Sequence, residues 1–170
     1  IEVELTYIAT ESLTFDVSLG YIDSTFDNVI DTNPETGEIF DKSDRFTVSN
    51  TPDLTFNFGA TYRLYTDMGD FVFNSNYYHR GEYALFEEDS LLTQDSYGLL
   101  NAGITWYSTD GHWNAGLYAK NLTDEEYMIG GYQFVAPDPS DPQNVSKYTP
   151  GLGGDNTLIG YYGDPRTVSL

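Results

Sequence analysis

Along most of this chain, apolar and polar residues alternate one by one, and the links between the alternating runs are short and long in turn. A strand sends successive side chains to opposite faces, so each run reads as one strand with an apolar and a polar face. Val3, Leu5 and Tyr7 alternate with Glu2, Glu4 and Thr6. Leu13, Phe15, Val17, Leu19 and Tyr21 alternate with Thr14, Asp16, Ser18 and Gly20. After Asn50-Thr51-Pro52 come Leu54, Phe56, Phe58, Ala60 and Tyr62, opposed by Thr55, Asn57, Gly59, Thr61 and Arg63. Phe71, Phe73, Ser75 and Tyr77 alternate with Val72, Asn74, Asn76, Tyr78 and Arg80. A run over about 96–108 sets Leu100, Ala102, Ile104 and Trp106 against Asn101, Gly103 and Thr105. Beyond Thr109-Asp110-Gly111, Trp113, Ala115, Leu117 and Ala119 alternate with Asn114, Gly116, Tyr118 and Lys120. A last run is expected from near Tyr161 to Leu170. No segment shows a helical period, so the chain reads as all-β, with about seven strands.

Short links join the first run to the second, the third to the fourth and the fifth to the sixth. The long links cover about 28–49, 83–95 and 123–160. In an antiparallel meander, alternate links lie at opposite ends, so all long links share one end. Outer-membrane barrels have this asymmetry, with short periplasmic turns and long extracellular loops. Several runs can extend to about 12 residues, against about 5–6 in globular strands and about 9–11 for a tilted membrane strand. Aromatics gather near both strand ends. Tyr7, Tyr62, Tyr65, Trp106, Tyr107 and Trp113 lie beside the short turns, and Tyr21, Tyr77 and Tyr78 lie toward the long links. Two such girdles mark two membrane interfaces. The alternative is a soluble, secreted, carbohydrate-binding β-sandwich, with the apolar faces packed on each other.

Composition narrows the function. The 170 residues hold 27 Asp and Glu against 7 Lys and Arg, a net charge of −20. Such a chain offers no basic surface to nucleic acid. It has no cysteine, hence no disulfide or thiolate metal site. At 16% aromatic it is too rich in Tyr and Phe for an acidic disordered chain. No apolar run approaches the roughly 20 residues of a membrane helix, but that test is blind to barrel strands. The chain starts at Ile1 and stops at Leu170, and both ends read as truncations.

Four stretches then resemble, in order, elements of one family. Leu117-Tyr118-Ala119-Lys120-Asn121-Leu122-Thr123-Asp124-Glu125-Glu126-Tyr127 is similar to the "KNLTDxxY" element of TonB-dependent receptors. Asn50-Thr51-Pro52 resembles the family's "NTP", and Tyr77-Tyr78-His79-Arg80-Gly81-Glu82-Tyr83 its "YYxRxEY". Gly163-Asp164-Pro165-Arg166-Thr167 resembles the "GxPRT" before the terminal strand. The resemblance implies that residues 1–170 are a curved up-and-down meander, a C-terminal piece of a barrel of about 22 strands. The family's plug domain, TonB-contacting segment and final aromatic residue are then missing from this chain. It further implies a bacterial outer-membrane location, with membrane lipid, the receptor's own plug and the TonB complex as partners. The cargo would be a scarce small solute such as a ferric siderophore, a vitamin or a glycan. No catalysis and no cofactor are expected. A passive porin-like barrel remains the rival within the membrane.

Candidate contacts follow from this frame. Arg63, Asn74, Asn76, Arg80, Asn101, Asn114 and Lys120 are expected to face the lumen. Tyr83, Phe86, Tyr132, Phe134, Tyr148, Tyr161 and Tyr162 lie in long links, where rings offer stacking surface to a large ligand. Asp31-Thr32-Asn33-Pro34-Glu35-Thr36-Gly37-Glu38 hints at a calcium loop, but Gly37 and Pro34 spoil the template, and a turn-forming hairpin tip fits better. Asn121-Leu122-Thr123 and Asn144-Val145-Ser146 match a glycosylation acceptor, a signal without meaning in a bacterial outer membrane. His79 and His112 are expected at opposite ends of the wall and form no metal cluster. Glu87-Glu88, Glu125-Glu126, Gly130-Gly131 and Gly151-Leu152-Gly153-Gly154 read as solvated charge and loop punctuation.

Overall fold

The computed structural model describes residues 1–137, 148–150 and 158–170. Among them the strands number β1 to β15 in chain order. Seven form one sheet, the wall: β1 (Glu2–Thr10), β2 (Leu13–Tyr21), β5 (Leu54–Thr66), β6 (Gly69–Arg80), β9 (Tyr97–Tyr107), β10 (Asn114–Lys120) and β15 (Thr167–Ser169). Each wall strand pairs antiparallel with the next in sequence, which makes an up-and-down meander. The three central strands have 13, 12 and 11 residues, enough to cross a bilayer's hydrocarbon at a tilt.

Register keeps the two faces apart across the whole wall. One row runs Leu13–Tyr62–Phe73–Ile104–Leu117, and the next Phe15–Ala60–Ser75–Ala102–Ala119. On the other face run Asp16–Gly59–Asn76–Asn101 and Thr14–Thr61–Asn74–Gly103–Tyr118. A slip of one residue between any two strands would mix these rows. Cross-strand rings reinforce the apolar face: Phe15 stacks on Phe58 at 5.7 Å, and Tyr62 meets Phe73 at 6.2 Å. Each such pair contributes about 0.2–1 kcal/mol.

The apolar face is uncovered. Leu5 is 58% exposed, Phe58 38%, Phe73 39% and Leu117 44%. A sandwich would close a second sheet over these side chains. The remaining described strands instead form two-stranded ribbons in the long links.

Those links are therefore not bare loops. β3 (Ile30–Thr32) pairs with β4 (Ile39–Asp41), and β7 (Tyr83–Ala84) with β8 (Thr93–Gln94). β11 (Met128–Gln133) pairs with β14 (Leu158–Tyr162), and β12 (Val135–Pro137) with β13 (Tyr148–Pro150). One 3-10 turn, Ser43–Arg45, interrupts the β pattern. Here the expected seventh strand needs correction. Tyr161 belongs to the β11–β14 ribbon, and the wall's last strand begins only at Thr167. Gly163-Asp164-Pro165 separates the two, and a proline has no N–H to give to a ladder.

The short turns are tied by side chains. Trp106 donates its indole N–H to the Met68 carbonyl at 2.9 Å, fastening the β5–β6 turn to the neighbouring hairpin. Gly69 turns at φ +121, where a Cβ would strike the Tyr107 carbonyl. In the β9–β10 turn, the Ser108 hydroxyl and the His112 N–H bond the Asp110 carboxylate and hold it below the usual carboxylate range. His112 sits in that turn, while His79 lies on the apolar face opposite Phe56, near the long-link end.

Candidate functional site

Three long links meet at one end of the wall and knit into a head. The first and second are joined by backbone, Thr47 N–H to Glu87 C=O at 2.9 Å and Asp89 N–H to Arg45 C=O at 3.0 Å. Charge reinforces that seam. The Lys42 ammonium lies 2.9 Å from both Asp31 and Glu88, and Arg45 grips Asp89. Glu88 and then Asp31 raise the Lys42 pKa, and Lys42, with the Thr32 N–H, lowers that of Asp31. The second and third links are joined through Gln133. Its carbonyl accepts from Leu91 N–H at 2.7 Å, and its amide donates to Asp89 C=O at 2.9 Å.

Beneath this seam lies a small core, formed among the described residues by Tyr83, Leu85 and Tyr97, 4%, 8% and 6% exposed. Tyr78, Phe86, Leu92, Leu99, Tyr127 and Met128 pack around it. Tyr78, Tyr97 and Leu99 stand on the polar face of the wall, so the head folds over that face.

The four sequence elements turn out to be two interlocking pairs. Asn50, at φ +54, offers its carbonyl to the Arg80 guanidinium at 3.0 Å, and Arg80 lies 3.9 Å over the Tyr83 ring. The second pair joins residues 121–127 to 163–166. Asn121, also left-handed at φ +49, spends its amide on Glu125 and Asp164 carbonyls at 2.8 and 3.2 Å. Asn tolerates this conformation better than most residues. Asp124 accepts from the Arg166 backbone N–H at 2.9 Å and faces its guanidinium at 3.5 Å. Gly163 leaves room for the Tyr127 ring, which any Cβ there would strike. Tyr127 then stacks on Tyr97 at 4.6 Å and links the clasp to the core. At 4% exposed and fully engaged, Asn121 leaves no place for a glycan. Asn144-Val145-Ser146 and Gly151-Leu152-Gly153-Gly154 lie outside the described residues.

The structure sorts the sequence candidates into groups. Tyr132, Phe134 and Tyr161 come together: Tyr132 stacks on Phe134 at 5.4 Å and meets Tyr161 edge-on at 5.7 Å. All three rings are exposed, as is Tyr162 on the same ribbon. Tyr83 and Phe86 are different. Tyr83 is buried, donates to the Met128 carbonyl at 2.7 Å, and with Phe86 supports the head from within. Tyr148 opens β13 opposite Pro137. Arg63, Asn74, Asn76, Arg80, Asn101, Asn114 and Lys120 all share the polar face by register, with Arg80 committed to its clasp. At the head's far tip, Asn33 accepts from the Glu35 and Thr36 N–H groups, the turn that Asn-Pro-Glu-Thr-Gly favours. The clasps escaped sequence reasoning, although their members carried a signal, since each stretch resembles a family element.

No family model matches the chain. Among solved structures, the chain is similar to the ferric yersiniabactin uptake receptor FyuA from Yersinia pestis, with a TM-score of 0.69 at 18% sequence identity. The match covers 98% of this chain and 21% of the receptor chain, so these residues span about a fifth of that receptor's length. The chain has the fold of one stretch of a TonB-dependent receptor's β-barrel wall with its connecting loops.

Proposed function

We propose that these residues form part of the wall and outer mouth of an energy-coupled importer in a bacterial outer membrane. Its cargo is a scarce solute of the ferric-siderophore kind, drawn in through a plugged lumen by the TonB complex. The observation that carries this reading is the one-sided build. Among the described residues an uncovered apolar face spans the wall, and the second and third long links pack at one end over the opposite, polar face. A lipid-facing wall with a solute-facing mouth needs both features. The neighbour FyuA is itself a ferric yersiniabactin uptake receptor, which favours cargo of the same general kind. The rings of Tyr132, Phe134, Tyr161 and Tyr162 are the surface offered to it, and no chemistry on the cargo is required.

The test uses the full-length protein in cells lacking other ferric-chelate receptors. Accumulation of labelled ferric chelates is expected, and it should stop when the proton gradient is collapsed. Uptake that persists without the gradient would make the barrel a passive pore. Changing both Tyr132 and Phe134 to Ala should weaken binding about tenfold or more, given the worth of two stacking rings. Unchanged affinity would remove them from the ligand surface.

A further inference from the structure

The β11–β14 ribbon has two unlike faces. Tyr132 pairs with Ile159 and Gly130 with Tyr161, so Tyr132, Ile159 and Tyr161 share one face, which the stacked Phe134 extends. All four side chains are exposed. The other face lies on the second link. Gln133 bonds the Leu91 and Asp89 backbones there, and a Cβ on Gly131 would meet the Leu92 side chain at 2.8 Å. The ribbon is thus pinned from behind while its ring face stays open.

Two other rings of the head already carry a cation. Lys42 lies 5.3 Å from the Phe46 ring centroid, and Arg80 lies 3.9 Å from that of Tyr83. Among the described residues, none lies over Tyr132, Phe134 or Tyr161. The described cations of the long links have none to lend, because Lys42, Arg45 and Arg166 each hold a carboxylate. The face of an aromatic ring is the negative part of its quadrupole and attracts a cation.

The charge beside the rings has the same sign. Tyr162 continues the strand that carries Tyr161, and with Asp124, Glu125 and Glu126 it lines a hollow of about 280 Å³ at the ribbon's foot. The clasp shapes this hollow: Asp124 is committed to Arg166, and the Glu125 N–H is held by the Asn121 side chain at 2.8 Å. Neither glutamate carboxylate has a partner among the described residues. The long links also hold most of the chain's 27 Asp and Glu.

We infer that the ring face of this ribbon receives a positively charged group of the cargo, an ammonium or a guanidinium, and that the glutamates beside it turn anionic chelates away. The inference rests on reading these rings as the cargo surface. The rings supply contact that is nearly blind to sign, and the unpaired carboxylates add the discrimination, since like charges brought together oppose binding.

Two measurements on the full-length protein test it. The first needs no cargo. A spin label on Ile159→Cys, as the single cysteine, stands beside Tyr132 and reports collisions with cationic and anionic paramagnetic chelates of equal size. The cationic probe should collide about fivefold more often, and the ratio should fall toward one in high salt and in the double variant Glu125→Gln, Glu126→Gln. A ratio near one in the protein with both glutamates, or one that the double variant does not move, overturns the inference. The second measurement is the Kd of three ferric trihydroxamates that differ only at one terminus, a free ammonium, its acetyl derivative and its succinyl derivative. The ammonium form should bind about tenfold more tightly than the succinyl form, with the acetyl form between, and the double variant should narrow the gap. Equal affinities or the reverse order overturn the inference while the importer reading stands. If no chelate is bound or imported and the label still reports the cation excess, the ferric-chelate reading falls and the cation-receiving surface remains.

Discussion

The wall and the head of this molecule are held by opposite means. In the wall, order comes from the backbone ladder: β5 and β6 exchange pairs without interruption from Thr55–Arg80 to Thr66–Gly69. Its side chains stay largely open to what surrounds it. In the head, ladders are two to six residues long, backbone bonds between links are few, and side chains add to them through Gln133, Lys42, Asn121 and the Tyr83–Tyr97 core. A continuous ladder leaves few backbone groups unpaired, which the proposed lipid setting would require. A loop in water must instead bury rings and pair charges to stay ordered.

Substitutions can break that contrast. Tyr83→Ala removes the centre of the core and is expected to cost about 3–5 kcal/mol, as large aromatic truncations do. The loss should be confined to the head. Hydrogen exchange should quicken over residues 81–96 and 121–130 and stay slow in β5 and β6. Uniform loosening of both regions would show that the head and wall unfold as one. Next in size is Ala60→Arg, at the middle of the apolar face. In a bilayer it should cost about 2–4 kcal/mol, whereas Thr61→Arg, one residue along on the polar face, should cost far less. Equal costs in urea unfolding from liposomes would deny that the two faces meet different media.

The smallest effect sharpens the head itself and depends on pH. The Asp31 pKa is lowered from 3.8, so its contribution is present above that value and lost as the pH falls through the lowered one. The Lys42 pKa is raised from 10.5, so its contribution is present below that value and lost as the pH rises through the raised one. A spin label placed at Thr36 in the β3–β4 tip should therefore keep constant mobility between those limits and loosen beyond either. Mobility that changes near neutral pH would mean that another group controls the seam.

Sequence reasoning reached the wall far better than the head. Runs such as Leu54 to Tyr62 show their period because one medium bathes each face along the whole strand. Ribbons such as Ile30–Thr32 are too short to show any period. Their partners are set by contacts like Lys42 to Glu88, which lie 46 residues apart in the chain. The seventh strand was misplaced for a related reason. Leu158–Tyr162 is a strand with an apolar composition, and only Pro165 and the Asp124–Arg166 clasp reveal that the wall resumes later. Tyr132, Phe134 and Tyr161 were legible as loop aromatics, but not as a single cluster. Tyr83 looked the same on paper and proved to be interior.

The unbroken β5–β6 register has a consequence for how loosely sequence is tied to shape. Its bonds join N–H and C=O groups that nearly every amino acid owns, so the shape is encoded by parity more than by identity. At most odd or even places, proline and the turn glycine Gly69 aside, a residue of the right polarity can replace another without disturbing the ladder. Very different sequences can then hold one geometry. Two walls that share one form at 18% identity are what such a degenerate code allows.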